Sequence, residues 1–418
     1  MVYRRPNLHT SYATEASMLP TWTQRAAVFV LLWLAILLPF NLPVINQIPF
    51  VRYLGDGDWL RVTTAALIFA LAALGLNLLT GVAGQVSLGH AFFMGVGACT
   101  CAYLGGEPGG RTWGHGLPIW VWLPAAGIVA ALVGVLVAPA AVRVRGLYLG
   151  IVTVGLVFIG IHLSKVFPEI SGESGSGREF PGLEFRWWRE ENPVISFTDD
   201  GHWLWFDIDG NAKSYLLALA MLAVGVVVAK NLVRSRTGRA MQAIRDRDVA
   251  AEVMGVPEFK YKVIAFAISS FFAGVAGALF ASFTTRVLPE DWDLILSVEF
   301  IAIILIGGAG TVSGTLLGAF FVVLLPDHLE NFVGWMSEQA EGSGPLARFW
   351  DLFVSQGGND FGVVSDAQIA PGFPLPSSAL DAVLYGALIV GFLLFEPRGL
   401  FGIWVKIRNY WKGWPFTY

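Results

Sequence analysis

Long stretches of this chain carry no charge: residues 26–51, 62–106, 112–142, 146–164, 263–285 and 300–326 contain no Asp, Glu, Lys or Arg. Apolar residues fill these windows continuously. They show neither the strict alternation of a barrel strand nor the polar stripe of a surface helix. About 20 helical residues cross a hydrocarbon layer of about 30 Å, and the windows reach that length. Backbone N–H and C=O groups in lipid must be paired within their own segment, which leaves helices once barrel alternation is missing. The pattern predicts an all-α polytopic membrane protein.

Basic residues between the windows order the spans, because short cytoplasmic loops carry an excess of Lys and Arg. Residues 1–25, with Arg4, Arg5 and Arg25 and no small-residue cleavage site after them, read as a cytoplasmic N-terminal segment before an uncleaved first span. Spans near 26–44, 61–81, 86–104, 117–139 and 146–165 make a first bundle half, 26–166. An extracytoplasmic insertion follows at 167–212, with ten Asp/Glu against three Arg and with Trp187, Trp188, Trp203 and Trp205. It is expected to fold over the outer mouth. The second half, 213–325, holds spans at 213–233 and 263–284 around a loop, 234–262, whose seven Lys and Arg place it in the cytoplasm. A glycine-interrupted pair, 296–306 and 314–325, ends this half. A second extracytoplasmic insertion (326–378), a last span (379–396) and a cytoplasmic tail (397–418) with Arg398, Lys406, Arg408 and Lys412 complete the path. The total is about ten transmembrane helices, with 86–104 and 296–325 short or broken enough to be half-spanning or re-entrant.

Composition agrees with this reading. Of 418 residues 55% are hydrophobic and 14% charged, where soluble domains are about 25% charged. A net charge of −4, without Lys/Arg clusters interleaved with aromatics, argues against a nucleic-acid partner. Cys99 and Cys101 are two apart in an apolar segment, so on a helix they point to different faces and cannot bridge each other.

Gly81-Val-Ala-Gly-Gln-Val-Ser87 matches Gly307-Gly-Ala-Gly-Thr-Val-Ser313 at five of seven positions, each between apolar helices. Paired glycine breaks in two halves are how transporters build a site at membrane depth. The span order puts both copies on the cytoplasmic side, whereas an inverted repeat would place them oppositely, so inverted, parallel and chance matches stay open. Polar groups at this depth usually face a cavity or the bundle interior. Asn77, Gly81, Gly84, Gln85, Ser87 and His90, with Gly307, Gly310 and Ser313 of the second copy, are therefore candidates for a translocation path. The alternative is that these side chains satisfy backbone freed by the glycines, with His90 making a helix–helix hydrogen bond.

In the loop, Thr237 can cap a helix start, and Gly255 followed by Pro257 supplies a stop. Between them Ala240, Met241, Ile244, Val253 and Met254 are apolar, while Arg239, Arg245, Asp246, Arg247, Asp248 and Glu252 are charged. Such a helix can enter a partner's groove. Its mixed signs fit a simple anionic-lipid anchor poorly.

Arg236–Gly255, followed by Ala265-Phe-Ala-Ile-Ser-Ser-Phe-Phe-Ala-Gly-Val-Ala-Gly-Ala-Leu-Phe-Ala281, resembles the loop and next span of permeases from branched-chain amino acid ABC importers, the Liv type. Gly75–Phe93, Glu299–Gly314 and Phe395-Glu-Pro-Arg-Gly-Leu-Phe-Gly402 resemble the family in the same order. The resemblance implies a type II ABC importer-like permease fold in the inner membrane. It also implies a coupling helix within 238–255 that docks on an ATPase, with Gly238, Arg239, Ala240, Ala243, Ala251, Glu252 and Gly255 as coupling residues. The implied partners are a second homologous permease, two ABC ATPase subunits and an extracytoplasmic substrate-binding protein. The chain has no Gly-x-x-x-x-Gly-Lys-Ser/Thr loop, so ATP and Mg are expected on the partner ATPases and this chain is not itself an enzyme. The alternative within the class is import of urea or short amides. An ion-coupled secondary transporter would usually need a buried carboxylate, which the charge-free windows lack. A membrane enzyme would need a metal spacing such as His-Glu-x-x-His, which His90, His162 and His202 do not form.

Overall fold

The computed structural model describes residues 22–40, 57–107, 113–144, 146–172, 177–187, 194–199, 201–203, 206–340, 364–365, 375–396 and 398–413. Among them, seven helices are long and apolar enough to cross a membrane, and the chain is a multi-pass, all-α membrane protein. The helices are α1 (Trp22–Leu37), α2 (Gly57–Leu76), α3 (His90–Gly105), α4 (Ile119–Arg143), α5 (Leu147–Val166), α6 (Gly210–Arg234), α7 (Arg236–Asp246), α8 (Asp248–Val253), α9 (Glu258–Thr284), α10 (Leu294–Gly307), α11 (Val312–Ala340), α12 (Ser377–Phe395) and α13 (Gly399–Gly413). Three of these, α3, α10 and α12, stand in the remaining expected windows; α3 and α10 are the short pieces flagged by the sequence. The chain divides into two compact units, Met1–Asp293 and Leu294–Tyr418.

In the first unit α9 is the central helix and packs along α4, α3 and α2. Lipid tails are as apolar as Leu, so helices in a bilayer gain little by hiding hydrophobic surface from one another; close backbone approach does the work instead. A Cβ on Gly97 would sit 2.1 Å from the Gly274 carbonyl, and one on Gly277 would sit 2.1 Å from the Met94 carbonyl. These glycines let α3 and α9 touch backbone to backbone. From Ala65 onward α2 is apolar all round and correspondingly buried, with Ala66, Ala70, Ala72, Ala73, Leu74 and Leu76 inaccessible.

The insertion after α5 is tied to the end of α9. Strand β1 (Arg178–Glu179) pairs antiparallel with β6 (Arg286–Val287), Phe180 N–H bonds Thr285 O at 2.9 Å, and Arg286 meets Glu179 at 2.7 Å. Between them, β2 (Glu184–Phe185) pairs with β3 (Ile195–Ser196), and β4 (Gly201–Trp203) with β5 (Phe206–Ile208). Of the four tryptophans expected to cover the mouth, Trp188 and Trp205 lie outside the described residues, and Trp187 is exposed.

In the second unit α10 ends at Gly307, and a turn leads into α11. The Thr311 hydroxyl accepts from Gly314 N–H at 3.2 Å and donates to Gly308 O at 2.8 Å, which caps the new helix. Pro326 does not end α11, which runs on to Ala340; membrane helices tolerate proline when neighbours satisfy the freed carbonyl. Glu299 lies in the second turn of α10 and is half-buried.

Candidate functional site: a broken span against the basic loop

The end of α2 does not finish as an α-helix. From Asn77 to Val82 it widens into a π-turn, with Ala83 N–H on Leu78 O at 3.1 Å and Gln85 N–H on Leu79 O at 3.0 Å. Such turns are rare and concentrate at functional sites. Gly84 then takes φ +71°, a left-handed conformation open to glycine, and the chain stays non-helical until His90 starts α3.

The candidate path residues fall around this break in different ways. Asn77 is buried within the π-turn. His90 Nε2 lies 2.9 Å from Ala72 O and, facing a carbonyl, must donate, so it makes the helix–helix bond that was its alternative reading. Buried Ser87 accepts from Gly89 N–H at 3.3 Å, which serves the freed backbone. Gln85 differs: it is 4% exposed, and neither its amide oxygen nor its nitrogen has a hydrogen-bond partner among the described residues. The second copy repeats the local geometry. Gly310 has φ +81° where Gly84 has +71°, and Gly307 is buried like Gly81, while Ser313 is exposed where Ser87 is buried. A Cβ on Gly308 would sit 2.5 Å from Arg398 O, so the Arg398–Gly399 corner closes against this second break.

The loop is two short helices rather than the single one expected over 238–255. Arg247, with φ −157° and ψ 100°, separates α7 from α8. Ser235, not Thr237, is the cap: its hydroxyl accepts from Gly238 N–H at 3.2 Å. Gly255 at φ +83° ends α8 as expected. The coupling candidates split into two faces. Gly238, Ala240 and Ala251 are buried; Arg239, Ala243, Glu252 and Gly255 are exposed. The apolar set divides too, since Met241 and Ile244 anchor α7 inward while Val253 and Met254 are 81% and 85% exposed. The loop therefore presents apolar side chains of α8 beside the outward charges of α7.

A cavity of about 240 Å³ lies between loop and break, lined among others by Gly84, Gln85, Arg245, Arg247, Glu258 and Lys262. Glu258 and Lys262 pair across one turn of α9 at 2.6 Å. A larger cavity of about 660 Å³ runs among α3, α4 and α5 past Cys99, Val133, Val157, Ile161 and Trp292, and none of the candidate path residues lines it. Thr100 and Ser164 on its wall spend their hydroxyl protons on the carbonyls of Val96 and Gly160, at 2.8 and 2.9 Å. Both cysteines are free, and Cys101 is buried at 3.4 Å from Ser282 Oγ.

Sequence reasoning missed three anchoring residues. Thr153 on α5 accepts from Leu88 N–H at 2.8 Å and holds the non-helical stretch before α3. Arg178 is 3% exposed and donates to Ala102 O at 2.6 Å, to Trp113 O and to Glu169 O at 3.4 Å; burial pulls its pKa below the ordinary value, yet it stays charged. Arg245 reads in the sequence as one of the loop charges, but its Nη1 donates to Gly81 O at 2.7 Å. An isolated charge in a polar stretch gives no sign of which distant carbonyl it will meet.

A multi-pass helical bundle with glycine-broken spans and a basic loop docked on one break defines a membrane permease. The chain belongs to the family described as branched-chain amino acid transport system / permease component, whose model matches residues 59–393. It is similar to the high-affinity branched-chain amino acid transport system permease protein LivM of Escherichia coli K12, 31% identical over 307 residues, 72% of this chain and 70% of that one. It is also similar to the probable branched-chain amino acid transport permease protein LivH of Methanocaldococcus jannaschii, 23% identical over 55% of this chain and 68% of that one. Over 28% of this chain and 35% of the relative it is 35% identical to the autoinducer 2 import system permease protein LsrC of an Enterobacter species. No solved structure matches.

Proposed function

We propose that this chain is the transmembrane permease subunit of an ATP-driven importer of branched-chain and other hydrophobic amino acids. The observation that carries the reading is the loop between α6 and α9. It is anchored inward on the broken span and turns Arg239, Ala243, Glu252, Val253 and Met254 outward, a mixed apolar and charged surface fit for a partner's groove. In this reading the basic loop and both termini are cytoplasmic and the chain lies in the bacterial inner membrane, as the Lys/Arg distribution argues. Two ATPase subunits bind ATP and Mg and hydrolyse the nucleotide; a second related permease completes the path; an extracytoplasmic binding protein delivers substrate.

The chain's own residues divide the work. Gly238, Arg239, Ala240, Ala243, Ala251, Glu252 and Gly255 form the docking element. Asn77, Gly81, Gly84, Gln85, Ser87 and His90, with Gly307, Gly310 and Ser313, form the two breaks beside the path. The Gln85 amide, without a partner among the described residues, can offer both a donor and an acceptor to the charged ends of an amino acid.

The test is to tag the chain, extract it gently from its native membrane, identify its stoichiometric partners and measure leucine uptake in proteoliposomes. Two ATPases and a second permease, with uptake that requires ATP and binding protein, are expected. A chain without ATPases that moves solute under an ion gradient alone would overturn the proposal.

A further inference from the structure

The loop and the broken span meet at one side chain that the docking surface does not use. Arg245 stands in the last turn of α7, and its Nη1 reaches Gly81 O at 2.7 Å across 164 residues of sequence. Gly81 lies at the C-terminal end of a helix, where the last carbonyls lack partners of their own and the helix dipole is negative. A guanidinium there works as a cap supplied by another segment. Asp246 holds its other side, at 3.1 Å from Nε and 3.0 Å from Nη2. Gly84 makes room for the arm, since a Cβ there would sit 2.5 Å from Arg245 Cγ. α7 is a firm base for the contact because Met241 and Ile244 are buried beneath it.

Next to this contact the Gln85 amide is buried without partners among the described residues. Burying an unpaired amide is unfavourable, so a rearranged break that pairs it would compete with the arrangement seen. A π-turn differs from the α-helix around it by one residue in the span of each hydrogen bond, so returning to α geometry would shift the bonding by one residue. Coupling requires such an element with two arrangements, biased from both sides.

We infer that Arg245 is the positioning residue through which the loop moves the Asn77–Val82 turn: a docked ATPase shifts α7, and the guanidinium carries that shift to the Gly81 carbonyl. The inference rests on the importer reading above. Gln85 gains its partners in the shifted arrangement, and Gly84 is the hinge.

The experiment uses the complete transporter in proteoliposomes with its binding protein, and reads leucine uptake and ATP hydrolysis on the same vesicles for wild type, Arg245→Ala, Arg245→Lys and Gly84→Ala. Arg245→Ala is expected to assemble and hydrolyse ATP while leucine moved per ATP falls about tenfold, a size within the usual range of coupling between sites. Arg245→Lys can still donate to Gly81 O and should recover part of the ratio. Gly84→Ala, which displaces the arm without removing it, should fall between. Uptake and hydrolysis lost in equal proportion, an unchanged ratio, or failure of all three variants to assemble would overturn the inference while the wild type still shows ATP-dependent uptake. A wild type without ATP-dependent uptake would overturn the importer reading, and this inference with it.

Discussion

Arg178 and Arg245 do the same chemistry at two helix ends of the first unit. Each reaches from a distant segment to a carbonyl at the C-terminal end of a span, Arg178 to Ala102 of α3 and Arg245 to Gly81 at the end of α2. Their settings differ. Arg178 is buried and donates to the carbonyls of Ala102, Trp113 and Glu169, so it fastens the insertion, the end of α3 and the turn after α5 together. Arg245 has a side chain 41% exposed and one carbonyl, and it shares its guanidinium with the adjacent Asp246. A charge buried among fixed acceptors makes a permanent fastening, because water cannot replace any lost bond; a half-exposed one can let go and be rehydrated. The same residue type thus makes a clamp in one place and a movable link in the other.

That contrast can be broken experimentally, and the largest effect should come from the clamp. Arg178→Ala removes the charged donor from Ala102 O, Trp113 O and Glu169 O, two of which keep a backbone N–H partner, and is expected to cost about 3 kcal/mol, read as a lowered midpoint in thermal unfolding of the purified protein. A loss no larger than that of an exposed pair would make Arg178 no clamp at all. Gly84→Ala should come next: a left-handed alanine costs about 1–2 kcal/mol, and the Cβ must also displace Arg245. Its control is Gly255→Ala, also at positive φ but with open space around it, which should lose the backbone share alone. Arg245→Ala should cost at most about 1.5 kcal/mol of stability, the net worth of one partly exposed hydrogen bond, so its effect would appear in coupling and not in melting. Smallest of all, Glu179→Gln loosens an exposed pair with Arg286 and should change stability by about 0.5 kcal/mol or less.

The two glycine breaks show how far the sequence could be read. Their shared Gly-x-Ala-Gly-x-Val-Ser pattern located both helix ends, while the structure added that Gly84 and Gly310 take the left-handed φ that glycine adopts cheaply. It could not say that Thr311 would cap α11 directly while Gln85 would be followed by a non-helical run to His90. The difference lies in what each break rests on: Thr153 and Arg245 for the first, the Arg398–Gly399 corner for the second. The loop was legible in the same partial way. Its limits came from Gly255 and its charge; its interruption at Arg247, and the turning outward of Val253 and Met254, did not show in a one-dimensional pattern.

What the chain determined by itself was whatever depends on solvent and on local backbone. Charge-free windows must become helices in lipid, glycines are favoured where φ is positive or backbones touch, and the run of Lys and Arg over 234–262 keeps that loop outside the hydrocarbon layer. What only the tertiary structure decided was which distant groups meet: Gly97 with Gly274, His90 with Ala72, Arg178 with Ala102, Arg245 with Gly81. A hydrogen bond is short and directional, so its partner is fixed by the packing of whole helices and leaves no periodic trace in the sequence that precedes it.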